Sequence, residues 1–263
     1  MNRIDQLFKD KQKRILSVYM TAGYPALDDT VEILQALQEN GVDMVELGMP
    51  FSDPLADGEV IQQSSHIALE NGMSIEYLFG QIGKVRDQIH IPLVLMGYLN
   101  PVLQYGFENF IRRSVECGID GLILPDLPLD IYNRDYKRVL EGSGLKFIML
   151  ITPYTSNDRI RQIAGASGGF LYMVADSSTT GAKKGISEKQ LEYFQRINAM
   201  NLPIPRLIGF GISSADTFNL ASKYANGAII GSAFIKAVGA SGNESVSEKT
   251  GEFVKSILRT APG

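Results

Sequence analysis

The sequence predicts an α/β fold: a single (β/α)8 TIM barrel over residues 1–263, with an extra N-terminal helix and long loops after strands two and six. Three observations predict it. Short apolar runs alternate with helical patterns along the chain, the order that builds a parallel sheet. Eight such strand runs can be read, enough to close a barrel. The length of 263 residues suits one barrel of about 250, and no linker or low-complexity segment divides it.

Each element has its own signal. Ile4 to Phe8 is a short amphipathic helix suited to plugging the barrel bottom. Arg14 to Met20 (RILSVYM) is strand one, broken by Gly23-Tyr24-Pro25. Asp28-Asp29-Thr30 opens a helix whose Val31, Ile33, Leu34 and Leu37 share a face, and Gly41 ends it. Strand two starts at Met44 and stops at Gly48 and Pro50. A long insertion follows, with helical segments near Ile61 to Leu69 and from Ser74 to about Arg86; such insertions on a compact barrel are usually functional. Pro92 to Tyr98 is strand three, Phe107 to Glu116 a helix, Gly121 to Leu124 strand four, and Tyr132 to Leu140 a helix. Lys146 to Ile151 is strand five, Asn157 to Ala164 a helix, and Phe170 to Val174 strand six. The polar, small-residue loop Ala175 to Ser187 has the composition of a lid. Ser187-Glu188 opens a helix to about Met200, and Arg206 to Phe210 is strand seven. Ser213 to Asp216 has capping-box form, and Gly227 to Ile230 is strand eight.

The chemistry concentrates in Met44 to Gln62. Glu46 interrupts an apolar strand and points to the opposite face from Val45 and Leu47. A carboxylate in an apolar layer is costly unless paired or given a task. Asp57 follows in the turn Ala56-Asp57-Gly58, with Asp53 between them before Pro54. Together these acids form a candidate acid–base constellation. Spacing alone leaves a second reading open for each: Glu46 as a buried acid paired to Arg or Lys, Asp57 and Asp53 as turn residues.

At the other end of the chain, Gly209-Phe210-Gly211-Ile212-Ser213 follows strand seven and Gly231-Ser232-Ala233 follows strand eight. Each opens a helix. Glycine lets backbone approach a ligand, helix N-termini attract anions, and barrel enzymes often bind phosphate there. Tyr19, Tyr98 and Tyr172 sit near the ends of strands one, three and six, where they serve either as packing or as walls for a flat aromatic ligand.

The run from Glu46 to Gly58, ELGMPFSDPLADG, closely resembles the pattern E-L-G-x-P-F-S-D-P-x-A-D-G of the tryptophan synthase α-subunit family. The resemblance extends from Ile4-Asp5-Gln6-Leu7-Phe8 to Gly231-Ser232-Ala233. It implies cleavage of indole-3-glycerol phosphate to indole and glyceraldehyde 3-phosphate, with Glu46 as acid–base residue and Asp57 stabilising the indole nitrogen. It implies a substrate pocket with Tyr19, Tyr98, Tyr172 and Thr180. Phosphate would be held by Gly181, Phe210, Gly211, Gly231 and Ser232. It implies a β-subunit partner docked at Pro50, Asp53, Asn100 and Pro101, with pyridoxal phosphate in that β-subunit and no cofactor in this chain. One departure stands out: the family pattern S-R-x-G-V-T-G in the strand-six loop becomes Ala175 to Gly181 here, with Asp176 for Arg and Ser178 for Gly.

Other classes are excluded by what the sequence lacks. A net charge of −4 argues against nucleic acid and anionic membranes. No apolar run approaches the roughly 20 residues of a membrane span. The N-terminal MNRIDQLFKDKQKR is too charged for a signal peptide, so a cytoplasmic location is expected. The single Cys117 lies in a helical pattern and reads as a packed thiol. No strand core carries a Schiff-base lysine, Lys146 being at the wrong end of strand five. His66 and His90 make no metal cluster. A phosphosugar isomerase would leave the Pro50-to-Gly58 loop unexplained, and a non-catalytic phosphometabolite-binding barrel would not need both Glu46 and Asp57. A stand-alone indole-3-glycerol-phosphate lyase is the remaining alternative.

Overall fold

Strands of this chain rarely exceed five residues, and each alternates between two kinds of neighbour. The computed structural model describes residues 1–175, 186–209 and 211–259. Its strands are β1 (Ile15–Thr21), β2 (Met44–Gly48), β3 (Leu93–Met96), β4 (Gly121–Ile123), β5 (Lys146–Phe147), β6 (Met149–Ile151), β7 (Leu171–Val174), β8 (Arg206–Gly209) and β9 (Gly227–Ile230). All pairings are parallel, in the order β5-β4-β3-β2-β1-β9-β8-β7-β6. The two ends of that order, β5 and β6, are separated by Ile148 alone, so the chain itself closes the barrel.

The predicted fifth strand is therefore two pieces. Phe147 O accepts from Gly168 N, and Met149 N donates to the Ser167 hydroxyl. β5 pairs with β4 while β6 pairs with β7, and Ile148 between them keeps its side chain in the axial core. Strands six, seven and eight of the sequence reading are β7, β8 and β9.

Side-chain alternation makes two cores. Leu16, Val18, Val45, Leu47, Leu93 and Leu95 face the surrounding helices. Ile15, Met44, Val94, Ile123, Ile148 and Tyr172 face the barrel axis. The N-terminal helix Arg3–Asp10 closes the bottom, as its pattern predicts, and sends Ile4 and Phe8 into the axial core. Gly121 and Gly169 leave room for Ile4: a Cβ on either would come within 2.9 Å of it. Burying each of those two side chains contributes about 1.5–3 kcal/mol, which an isolated eight-residue helix needs. Asn2 caps the helix through Ile4 N, and Lys146 pairs with Asp5 at 2.7 Å. Lys146 thus belongs to the closed end.

Several boundaries differ from the sequence reading. β3 stops at Met96, because Gly97 packs against Met49 so closely that a Cβ would lie 2.8 Å from it. Tyr98 is the N-cap of an unpredicted helix, Leu99–Tyr105. The helix placed at Tyr132 starts at Leu129 after Pro128, and it passes through a π turn at Tyr132–Tyr136 that stacks Tyr132 on Phe147, centroids 4.7 Å apart. The capping box after β8 is Ser214 with Thr217 rather than Ser213 with Asp216. A last helix, Val246–Leu258, was also unread; its Ser245–Glu248 capping box starts it, and it buries Val254 and Ile257.

Candidate active site

The pleat of β1 and β2 builds the centre of the site. Tyr19 lies in register with Glu46, and both, with Ser17, belong to the axial-facing set. Glu46 is fully buried. The Ser17 hydroxyl donates to its Oε1 at 3.2 Å, and Oε2 has no hydrogen-bond partner among the described residues. No lysine or arginine there pairs with it. Asp120 shows what a structural buried acid looks like in the same protein: it accepts from Arg86 Nη2 at 2.7 Å, Arg3 Nη1 at 3.1 Å and Leu93 N at 2.9 Å. The ion-pair reading of Glu46 is thus not met among the described residues. Burial pushes the Glu46 carboxyl up to about 8, and the Ser17 hydrogen bond pulls the other way.

Asp57 sits on the loop between β2 and the helix Glu59–Glu70. The turn holds it in place: its N–H donates to Pro54 O at 3.0 Å and its C=O accepts from Gln62 at 2.8 Å. The Tyr98 hydroxyl donates to Asp57 Oδ2 at 3.0 Å and accepts from Ala56 N at 3.1 Å. Tyr98 is fixed because its helix is fixed: both carboxylate oxygens of Asp126 accept from Leu99 N at 3.0 Å. Burial pushes the Asp57 carboxyl up to about 6, against the Tyr98 hydrogen bond. The two acids therefore differ in kind: Glu46 is dry and unpaired, while Asp57 is half-buried and held by a phenol.

A pocket opens at Asp57, lined by Tyr19, Phe51, Pro54, Tyr98 and Pro125 among others; Glu46 lies behind that lining, in register with Tyr19. Phe51 and Tyr98 form one wall, ring centroids 5.1 Å apart. Tyr19 exposes part of its ring there and tucks its hydroxyl over Gly48, in space that a Cβ would otherwise fill. Burial, then the charge of Asp57 and, after a Thr21 hydrogen bond that opposes them, the charge of Glu46, raise the Tyr19 phenol far above its ordinary value. Tyr172 is buried and lies over Gly209 in the same way, its hydroxyl where a Cβ would clash. Burial first, then the charges of Glu46 and Asp57, raise it too.

Of the two glycine motifs, Gly231 stands beside the pocket residue Tyr19. Gly211 takes φ +78°, a conformation that suits glycine. Gly231 caps the helix Ser232–Val238, and a Cβ on it would stand 3.4 Å from Tyr19 Cβ. Ser232 is exposed at that helix start. Thr180, Gly181 and Phe210 lie outside the described residues, as do Asp176, Ser178 and nearly all of the Ala175-to-Ser187 loop.

The remaining predicted residues separate into two elements. Pro50 and Asp53 lie on the loop after β2, with Asp53 exposed. Asn100 and Pro101 are in the first turn of Leu99–Tyr105 and not on a loop, since proline is tolerated there. The sequence reading missed Ser17, Phe51 and Asp126. Ser17 had a signal, a polar residue in phase with Tyr19 on the axial face; Asp126 had none, because its partner Leu99 is 27 residues away. Among the described residues His66 pairs with Glu70 on the surface, and Cys117 is buried with its thiol directed at Phe79 O. Among the described residues, no three His, Cys, Asp or Glu side chains gather as a metal set, and no helix is long and apolar enough to cross a membrane.

Comparison with known proteins agrees with this architecture. The family model for the tryptophan synthase alpha chain matches residues 6–261. The tryptophan synthase alpha chain of Flavobacterium psychrophilum is 54 % identical over 253 residues, covering 96 % of this chain and 100 % of the relative. The crystal structure of the tryptophan synthase subunit alpha from Legionella pneumophila is 34 % identical, with TM-score 0.88 over 98 % of this chain and 97 % of that one. A chain of the tryptophan synthase complex from Pyrococcus furiosus is 31 % identical, with TM-score 0.85 over 94 % and 99 %.

Proposed function

This chain belongs to the tryptophan synthase alpha chain family, a lyase of tryptophan biosynthesis, and on that premise we propose that it cleaves indole-3-glycerol phosphate to indole and glyceraldehyde 3-phosphate. One observation carries the proposal: two acids on either side of Tyr19 stand in different environments, Glu46 buried behind it with a free oxygen and Asp57 partly exposed on the pocket wall and bonded to Tyr98. Near neutral pH a carboxyl raised to about 8 is an acid and one raised to about 6 is an anion. The cleavage needs one of each.

Glu46 gives its proton to indole C3, and the ring becomes a cation with charge at N1. Asp57 lies against N1–H and stabilises that charge. The Glu46 carboxylate then takes the proton of the glycerol hydroxyl next to the ring. The bond from C3 to that carbon breaks, its electron pair returns to the indole, and the carbon becomes the aldehyde. Tyr19, Tyr98 and Tyr172 wall the indole, with Thr180 from the loop after β7. Gly181, Phe210, Gly211, Gly231 and Ser232 hold the phosphate. Residues 1–263 act as one barrel domain in the cytoplasm.

Indole is small and apolar, so an enzyme releasing it gains by passing it on directly. We propose a β-subunit partner in an α2β2 complex; in this family pyridoxal phosphate belongs to that subunit and the alpha chain carries no cofactor. Pro50, Asp53, Asn100 and Pro101 form the docking rim. Two exposed apolar side chains on the same elements, Leu55 at 84 % and Leu103 at 45 % exposure, support that assignment. The deciding experiment incubates the purified chain with indole-3-glycerol phosphate and detects indole. No indole at any pH would refute the reaction.

A further inference from the structure

Glu46 presents two oxygens with unlike surroundings. Oε1 accepts from the Ser17 hydroxyl at 3.2 Å; Oε2 is buried with no partner among the described residues. A neutral carboxylic acid has one carbonyl oxygen and one O–H. The oxygen that already accepts a hydrogen bond takes the carbonyl role, so the proton sits on the other. A buried O–H without an acceptor costs stability of its own, and a position that tolerates it is one where the acceptor arrives from outside. Here that acceptor is the substrate carbon. Ser17 can do this because it is fully buried on β1, two residues before Tyr19 and on the same face, beside the strand that carries Glu46.

We infer that Ser17 is a positioning residue for Glu46: its hydroxyl holds Oε1 and thereby assigns the transferable proton to Oε2. The inference rests on the proposed reaction, in which Glu46 starts as the acid. The ionisable groups that feel the charge of Glu46 among the described residues are Tyr19 from β1 and Tyr172 from β7, and Asp57 acts on the same two tyrosines from the loop. Neither tyrosine ionises near neutral pH, and no lysine or arginine pairs with Glu46 there. Ser17 is therefore the one hydrogen-bonded partner, among the described residues, that favours its charged form.

Two variants and two readouts test this. Ser17→Ala removes only a hydroxyl; Ser17→Thr restores one on a residue well suited to a strand. The first readout is 13C NMR titration of the Glu46 carboxyl, which needs no substrate. The second is the pH profile of kcat and KM for indole formation. Without the Ser17 bond the carboxylate is less favoured, so Glu46 keeps its proton to higher pH. Ser17→Ala is expected to move both the NMR midpoint and the descending limb of kcat upward by about one pH unit. It should lower kcat about tenfold, a hydrogen bond to an ionisable group being at stake, with KM within about twofold, since the proton transfer and not ground-state binding is affected. Ser17→Thr should restore both. If the Ser17→Ala midpoint and limb coincide with the wild type, the inference is overturned and Ser17 only fills space. A chain that forms no indole, yet whose Glu46 midpoint still rises in Ser17→Ala, overturns the proposed reaction and leaves the positioning of Glu46 by Ser17 standing.

Discussion

Glu46→Gln should abolish indole formation and yet make the protein progressively more stable than wild type as pH rises. The folded chain keeps the Glu46 proton up to about pH 8, whereas the unfolded chain releases it near the ordinary 4.5. Between those values the folded state binds more protons than the unfolded one, so its stability falls with rising pH. The stabilisation is complete below pH 4.5 and is gone above pH 8. At 1.36 kcal/mol per unit, that window gives a ceiling on the order of 5 kcal/mol for wild type. Protein interiors relax and screen more than a dry medium does, which brings the working figure to about 2–5 kcal/mol. The Glu46→Gln variant has nothing to ionise at this position, so its stability lacks this loss. Its amide leaves a buried N–H unpartnered at about 1–3 kcal/mol, but that cost is the same at every pH. The readout is therefore the change in the difference between the two proteins, not the difference itself. Urea unfolding at pH 5 and pH 9 with equal slopes measures it; Asp57 titrates in both proteins and largely cancels. A gain for Glu46→Gln of at least about 2 kcal/mol between the two pH values is expected. A difference constant to within about 0.5 kcal/mol would refute the reasoning, because Glu46 would then be charged in the folded chain at a cost met by some other group.

Four further outcomes are expected. In wild type, kcat/KM should rise with pH through about 6 as Asp57 ionises and fall through about 8 as Glu46 does; Asp57→Asn should lower kcat by at least about a hundredfold with KM little changed, and equal kcat with a large rise in KM would contradict its role. Gly211→Asp and Gly231→Asp place bulk and negative charge beside the proposed phosphate, Gly211 also at φ +78°; both should weaken binding of glycerol phosphate analogues in calorimetry, and unchanged affinity in both folded variants would move the phosphate site elsewhere. Adding a cognate β-subunit should give a stable complex on size exclusion and raise the indole-forming rate by an order of magnitude or more, whereas a chain fully active alone with no complex eluting would be a stand-alone lyase, and Asp53 and Asn100 would not be interface residues.

The barrel was legible because its cause is local. Axial and outward residues alternate at period two in every strand, and capping residues such as Ser74 and Ser187 stand where the helices begin. What escaped depends on distance in sequence. The break at Ile148 is made by Ser167 and Gly168, and the helix after Tyr98 is held by Asp126; no window of the chain contains both halves of either contact. The Val246–Leu258 helix was different: its S-x-x-E cap at Ser245 and Glu248 is a local signal that was there to be read.

Glu46 marks the limit more sharply. From sequence, Glu46 and Asp120 look alike, single acids within or next to apolar runs, and the ion-pair reading suits both. Only the fold separates them. Asp120 lies at the closed end of the barrel, where the N-terminal helix delivers Arg3 and a following helix delivers Arg86. Two guanidiniums and a backbone N–H satisfy it, and it locks the plug in place. Glu46 is carried inward by β2 and meets tyrosines, a serine and apolar side chains, with no cation among the described residues. An acid so placed makes the folded state less stable at neutral pH than a neutral residue would. The fold carries that deficit through the apolar packing around it, including the helix plug on the opposite side of the axial core. Structure and proposed chemistry are thus divided between the two ends of one barrel: the acid that is paired holds the fold, and the acid that is left without a cation is the proposed proton donor.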